Sequence, residues 1–184
     1  MIHNRKGFVG LVLMVGLLVA LAIGLHLGSK KTLDTKKEED VTPKLSLEVL
    51  KNSEYTYSGE KIKFVDGVYQ LRPLPGGVAE DYYVKLDQNY VVFSDVNGDA
   101  SEDALVILES RLGGTGVFRN LAVVLNENGK AHDVADVYLG DRVQIKTLEV
   151  TGATISVTTI PREDESKLET KQYTLVGSKL VLQK

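Results

Sequence analysis

A nine-residue acidic segment is the part of this 184-residue chain whose residue types and spacing could do chemistry. Its sequence is DVNGDASED, and oxygen-bearing side chains occupy every second position: Asp95, Asn97, Asp99, Ser101 and Asp103. In a tight loop this spacing can bring several hard oxygen atoms around one cation at about 2.4 Å. Calcium accepts about six to eight such ligands, whereas magnesium demands stricter geometry and keeps its waters. The segment therefore predicts a calcium site.

Charge repulsion gives a physical reason for an ion in this segment. Four acids fall within nine residues: Asp95, Asp99, Glu102 and Asp103. Like charges destabilise a compact loop unless a cation or water screens them. The alternative is a solvated acidic turn, without an ion, between the apolar segments 90–93 and 104–108.

The segment resembles the calcium loops of integrin-type β-propeller repeats, whose pattern is DxNxDGxxD. The resemblance covers nine residues. It implies side-chain oxygens from Asp95, Asn97, Asp99 and Asp103, and a backbone carbonyl from Ser101. Ala100 stands where the pattern has Gly, and Ala costs about 1 kcal/mol or more if that position needs a positive φ. The segment is not a full EF-hand, because the twelfth position is Val106 rather than Glu.

Short alternating apolar segments, separated by turn signals, predict the structure that positions this loop. Asp66-Gly67, Thr151-Gly152 and Gly177-Ser178 each separate such segments and predict hairpins, since Gly accepts the positive φ of tight turns. A phase break between Ile145 and Leu148 predicts a bulge.

Two continuous apolar segments, 104–108 and 121–125, predict central strands covered on both faces. The glycine-rich segment 111–116 between them is expected to be a hairpin loop, because a phosphate-binding loop would lead into a helix. Residues 46–51 predict a short helical turn. Together these signals predict a mostly β fold, a single antiparallel sandwich or barrel-like domain over residues 46–184.

The amino-terminal region predicts a membrane anchor. Residues 8–27 carry no formal charge, and twenty residues of helix span about 30 Å, the thickness of a bilayer core. Residues 1–7 form a short basic tail and residues 28–45 a polar linker. A short basic tail before an apolar segment is the format of an export signal, although lysines after the segment favour the opposite orientation. We therefore expect a single-pass cell-membrane protein whose domain lies outside the cytoplasm.

Two other interpretations of this region stay open. Ala20-Leu21-Ala22 matches a signal-peptidase exit, which would give a secreted protein cleaved near Ala22. Lys6-Gly7-Phe8 resembles the processing site of type IV pilin precursors, which implies a pilin-like subunit. Val12, however, stands where that family normally has Glu.

A longer resemblance runs through residues 90–145, in the succession SDVNGDASEDALVIL, GGTGVF, LAVVLNENGK and LGDRVQI. It is similar to a group of uncharacterised exported or membrane-anchored bacterial proteins. The group implies location and architecture but no reaction. Asp141 and Arg142, in the last segment, are candidates for a structural ion pair.

Composition excludes several kinds of function. The chain has no cysteine, so it has no disulfide and no zinc–cysteine site. Residues 41–184 hold 16 basic and 21 acidic side chains, which argues against nucleic acid as a partner. His132 is the only histidine of the domain and is expected at the surface. We therefore expect a noncatalytic domain with calcium as its cofactor and a protein or envelope partner of unknown identity. The alternative is an envelope hydrolase using Asp and Glu.

Overall fold

The computed structural model of the protein describes residues 43–184, and eleven strands and one short α-helix dominate them. The helix α1 is Leu47–Lys51. The strands are β1 (Glu54–Tyr57), β2 (Glu60–Lys63), β3 (Val68–Gln70), β4 (Tyr82–Ser94), β5 (Asp103–Leu112), β6 (Phe118–Glu127), β7 (Lys130–Asp141), β8 (Gln144–Thr151), β9 (Thr154–Ile160), β10 (Glu169–Val176) and β11 (Lys179–Leu182). A 3-10 turn at Ala79–Asp81 precedes β4.

The largest sheet is antiparallel, has five strands in the order β3-β4-β5-β6-β7, and carries the acidic loop between β4 and β5. Its centre is formed by the two continuous apolar segments. In β5, Leu105 and Ile107 contribute to one hydrophobic core, while Val106 and Leu108 contribute to the other. Both faces of the sheet are thus covered, and the prediction of two central strands is confirmed.

A four-stranded antiparallel sheet, β11-β10-β9-β8, shares the first core with the large sheet. Ile155 and Val157 are its most buried contributions to that core. The hairpins predicted around residues 151–152 and 177–178 are confirmed as β8–β9 and β10–β11. The register of β8 shifts between Ile145 and Thr147, which confirms the predicted bulge.

The second core lies on the other face of the large sheet, beneath α1 and the β1–β2 hairpin. Ser46 caps α1, because its Oγ accepts a hydrogen bond from the Val49 N–H at 3.2 Å. Leu45, from the end of the predicted linker, is only 6% exposed and belongs to this core. The folded domain therefore includes the last residues of that linker.

The turn at Asp66-Gly67 forms, but it does not join a regular hairpin. Both residues have positive φ, and Val65 and Val68 make a single bridge across them. Beyond that bridge the chain separates, since β2 pairs with β1 and β3 pairs with β4. The prediction of the turn is confirmed, whereas the prediction that its flanking strands pair with each other is wrong. Each of the two strands pairs instead with a strand on its other side in the chain, β1 or β4.

The mostly β fold with antiparallel sheets is confirmed. The predicted membrane segment 8–27 and the pilin-type site at residues 6–8 lie outside the described residues. Within residues 43–184, no helix has the length and apolar character that crossing a membrane requires.

Candidate functional site

The acidic segment forms the loop that closes the β4–β5 hairpin. Ser94 pairs with Asp103 at its base, and the residues between them turn the chain back. Val96 is 5% exposed and packs into the first hydrophobic core, so the loop is anchored to the domain at its second residue.

The carboxylate of Asp95 holds the loop in a tight turn. Its Oδ1 accepts hydrogen bonds from the N–H groups of Gly98 at 2.7 Å and Asp99 at 3.2 Å, and its Oδ2 accepts one from Ala100 at 2.9 Å. Ala100 has φ +69°, so the position where the related pattern has Gly does need a left-handed conformation. An alanine there costs about 1–2 kcal/mol.

Asn97 and Asp99 are joined by two reciprocal hydrogen bonds at the exposed tip of the loop. Asn97 Nδ2 donates to Asp99 Oδ2 at 2.9 Å, and the Asp99 N–H donates to Asn97 Oδ1 at 3.0 Å. The Ser101 N–H donates to Asp99 Oδ1 at 2.7 Å. The hydrogen bonds from Asn97 and Ser101 lower the pKa of Asp99, so its carboxylate is charged at neutral pH.

Asp103 differs from the other acids because it is completely buried. Its Oδ2 accepts a hydrogen bond from the Val96 N–H at 3.1 Å, and its Oδ1 accepts one from the Asn126 N–H on β6 at 2.9 Å. Burial raises the pKa of Asp103, while these two donors oppose the rise. Asp103 thus ties the loop to the neighbouring strand.

Three of the five predicted calcium ligands lie together in the structure, and a fourth is buried away from them. Asp95, Asn97 and Asp99 lie around the loop tip, whereas Asp103 is completely buried and is bonded to the N–H of Asn126 on β6. Both oxygens of Asp95, like those of Asp103, accept backbone N–H groups. Among residues 43–184, no three His, Cys, Asp or Glu side chains converge as a metal-binding group. The donors at the tip are all oxygens, which suits calcium chemically. The five-residue ligand set stays a prediction.

A cleft of about 560 Å³ borders this loop. Asp95, Asn97 and Gly98 form one side of it, and Leu125 and Leu175 form part of the rest. A group bound in this cleft would contact both the polar loop tip and apolar side chains from the five-stranded and four-stranded sheets.

Two other sequence predictions fall near strand ends. Arg142 Nη2 lies 2.6 Å from Asp141 Oδ2, which confirms the expected ion pair, and Asp141 Oδ1 also accepts the Val117 N–H at 2.9 Å. His132 is exposed, as expected, and its Nδ1 lies 2.6 Å from Glu127 Oε1.

A buried charged cluster on the large sheet was not predicted from the sequence. Glu109 receives Lys85 Nζ at 3.0 Å and Arg119 Nη2 at 2.9 Å, and the Tyr83 hydroxyl donates to it at 3.0 Å. Arg119 Nη1 also contacts Asp87 Oδ2 at 2.7 Å. The sequence did contain one indication of it. Glu109 follows Ile107 by two positions, so the two side chains lie on the same face of β5.

A second unpredicted group is Asp133, which joins β7 to the β1–β2 hairpin. Its Oδ2 accepts the Thr56 N–H at 2.8 Å, while its buried Oδ1 has no hydrogen-bond partner within the described chain. Burial raises the pKa of Asp133 to about 6, with Asp136 adding to the rise and His132 opposing it.

Asp133→Asn is expected to stabilise the domain at pH 7 by about 1–3 kcal/mol. The pKa of Asp133 is higher in the folded state than the unfolded value of about 3.9, so folding favours its protonated form. Its contribution is therefore fully present below about pH 4 and is lost as the pH rises through about 6. Denaturant unfolding should give similar stabilities for variant and wild type at pH 4, with the variant ahead at pH 7. A difference that does not change with pH would contradict this account.

No family model, curated protein or solved structure matches this chain. The resemblances to integrin-type loops and to exported bacterial proteins therefore stay predictions.

Proposed function

We propose that this chain is a membrane-anchored, extracytoplasmic and noncatalytic β domain that binds one calcium ion at the loop between β4 and β5. The ion would stiffen that loop for contact with a surface or envelope partner. The observation that carries the proposal is the loop tip, where Asp95, Asn97 and Asp99 are already gathered by hydrogen bonds to each other and to the backbone.

The loop geometry supports an ion for energetic reasons. Asp95 and Asp99 are two carboxylates held four residues apart in a compact turn, and Asp99 is exposed and charged. A calcium ion would offset the repulsion between them and the strain at Ala100. The side-chain amide of Asn97 and the backbone carbonyl of Ser101 would supply neutral oxygen ligands. Extracellular calcium modules work at about 10⁻⁴–10⁻³ M, which suits a domain outside the cytoplasm.

The neighbouring cleft supports a binding role. It has room for a small ligand or a partner side chain, and the loop forms one of its sides. A calcium ion at the loop tip would place a positive charge at the edge of the cleft.

The polar groups of the domain favour a noncatalytic role. A hydrolase of the Asp/Glu type needs two carboxylates facing a bound substrate. Glu109 and Asp87 do lie close to one cleft, but Arg119 contacts both, and Glu109 also pairs with Lys85. Their charges are thus satisfied by neighbouring cations.

Calcium is expected to raise the melting temperature of the full-length chain in nonionic detergent by about 3–6 °C. Calcium at ten times its dissociation constant stabilises the folded state by about 1.4 kcal/mol. For a domain of this size, that free energy corresponds to a rise in melting temperature of about 3–6 °C. The measurement compares EDTA with 10 mM Ca²⁺, and Mg²⁺ at the same concentration should give a smaller shift.

Asp99→Ala should abolish the calcium shift, and Asp164→Ala is its matched control. Asp164 also has a pKa lowered by hydrogen bonds, and its Oδ1 accepts the N–H of the residue two positions later, Ser166. It lies far along the chain, in the exposed loop after β9. No shift in the wild type, with no calorimetric binding at 10 mM Ca²⁺, would refute the calcium proposal.

A further inference from the structure

A second cleft, of about 460 Å³, lies between the large sheet and the start of β8. It is at the opposite end of β5 from the acidic loop, because Asp103 and Arg111 are eight residues, or roughly 26 Å, apart along an extended strand. Its charged lining side chains are Glu109, Arg111, Arg119, Arg142 and Lys146. Four cations and one acid meet here, although acids outnumber bases in residues 41–184 as a whole.

The cations of this cleft differ in how far the protein neutralises them. Arg119 contacts two carboxylates, those of Asp87 and Glu109. Arg142 shares Asp141 with Arg162, whose Nη1 lies 3.7 Å from that carboxylate. Lys146 is exposed and has no ion-pair partner among residues 43–184.

Arg111 is the least satisfied of these cations. Its Nε is buried and makes no hydrogen bond, and its guanidinium has no ion-pair partner in the part of the chain that the structure describes. A buried donor without an acceptor costs about 1–3 kcal/mol, so such groups are rare and call for an explanation. A ligand in the cleft would reach this guanidinium through its other two nitrogens, because the Nε itself is buried. Such a ligand would supply the counter-charge that the described chain does not.

The geometry points to an oxyanion site in this cleft: Arg111 binds a carboxylate or phosphate group of a small organic ligand, and Lys146 and Arg142 contribute further positive charge. A guanidinium presents parallel N–H groups that match the oxygens of either group. A concave site with cationic walls also concentrates anions near it. This inference is independent of the proposed calcium site.

The rest of the cleft suits the organic part of such a ligand. Tyr90 and Val143 line it, and the Tyr90 hydroxyl donates to the Ile145 carbonyl at 2.7 Å, which fixes the ring. The volume falls within the range of small-molecule sites and exceeds that of a single ion. An aromatic or aliphatic acid would therefore bury apolar surface beside its charged group.

The test is a titration of the full-length chain in nonionic detergent with phenyl phosphate, benzoate and uncharged benzamide. Calcium is first removed on a chelating resin, because EDTA is itself a polycarboxylate and would compete for the site. The Arg Nε–Hε resonances in ¹H–¹⁵N NMR spectra report directly on Arg111, and the fitted shifts give a dissociation constant. We expect saturable binding of at least one of the two anions, no binding of benzamide, and affinity that falls as salt is added.

Three variants assign the binding to the cleft. Arg111→Gln should weaken anion binding by about tenfold or more, and Arg111→Lys should restore part of it, since it keeps the charge but loses the planar fork. Lys146→Gln, at an exposed position, should leave the fold intact and weaken binding about threefold. Lys63→Gln removes an equal charge from β2, over the other face of the large sheet, and should leave binding unchanged.

Each outcome of the titration decides the matter. Preference for phenyl phosphate or for benzoate identifies the ligand group and supports the inference in either case. Failure of both anions to bind, or equal binding by wild type, Arg111→Gln and Lys146→Gln, would overturn it. If Arg111→Gln loses anion binding but keeps the rise in melting temperature with calcium, the anion site is supported and is distinct from the calcium site.

Discussion

Replacing Glu109 by Gln is expected to lower the free energy of unfolding by about 3–5 kcal/mol. Glu109 is 6% exposed and accepts from Lys85, Arg119 and Tyr83 at 2.9–3.0 Å. An amide keeps one acceptor oxygen but turns an NH₂ group toward a cation. Breaking a buried pair by removing one partner is costly. The cost here falls mainly on Arg119, which is 17% exposed and would keep only Asp87, since Lys85 is 40% exposed and can turn to solvent. Denaturant unfolding at pH 7 measures the loss.

Glu127→Gln is the matched control for this prediction. Glu127 also contacts a basic side chain, His132, but its side chain is 61% exposed. Surface pairs of this kind contribute about 0–1 kcal/mol, so the control should change stability little. If both variants lost equally little stability, the buried cluster would make no net contribution, and its desolvation cost would cancel its attraction.

Much of the β architecture followed from residue pattern because it depends on local signals. Gly177-Ser178 has the residue type that a two-residue turn requires, and the strands on either side of it, β10 and β11, pair with each other. Asp66-Gly67 has an equally strong signal, yet beyond one bridge its strands pair elsewhere, β2 with β1 and β3 with β4. A turn is thus set by its own residues, whereas strand pairing is set by competition across the whole domain.

The acidic loop shows the same division between local and distant causes. The spacing of Asp95, Asn97 and Asp99 indicated a tight oxygen-rich turn, and the turn forms with the positive φ that the pattern implied for Ala100. The spacing could not reveal that Asp103 is buried, because its second donor, Asn126, is 23 residues away on β6. The alternation of apolar and polar residues along β5 does not show which strand lies beside it, so the contact between Asp103 and β6 could not be predicted.

The charged cluster was missed for a related reason. Glu109 and Arg111 continue the inward positions of Leu105 and Ile107, so the alternation alone placed two charged side chains inside a sheet interface. Charged residues at the end of an apolar segment usually mark where a strand reaches solvent. The partners of Glu109 come from β4 and β6, which only the folded register brings alongside, whereas Arg111 has no ion-pair partner among the described residues.

Replacing Asp103 by Ala is expected to lower the free energy of unfolding by about 3 kcal/mol or more, even in EDTA. The change removes the acceptor of two buried N–H groups, those of Val96 and Asn126, and hydrogen bonds to a charged group contribute about 1.5–3 kcal/mol each. Asp103→Asn keeps one acceptor oxygen and should fall between Ala and the wild type. Denaturant unfolding without metal measures both variants.

The absence of metal in that measurement separates two roles for the same carboxylate. If Asp103 served only as a calcium ligand, Asp103→Ala would match the wild type in EDTA and differ from it only when calcium is added. The structure instead commits both of its oxygens to the backbone, so the loss should occur without any ion. Glu102→Gln is the control: Glu102 is the adjacent acid, 49% exposed and paired with Lys44 at 2.9 Å, and its loss should cost about 1 kcal/mol or less. A large effect at Asp103 beside a small one at Glu102 would mean that Asp103 positions the loop even when no ion is bound.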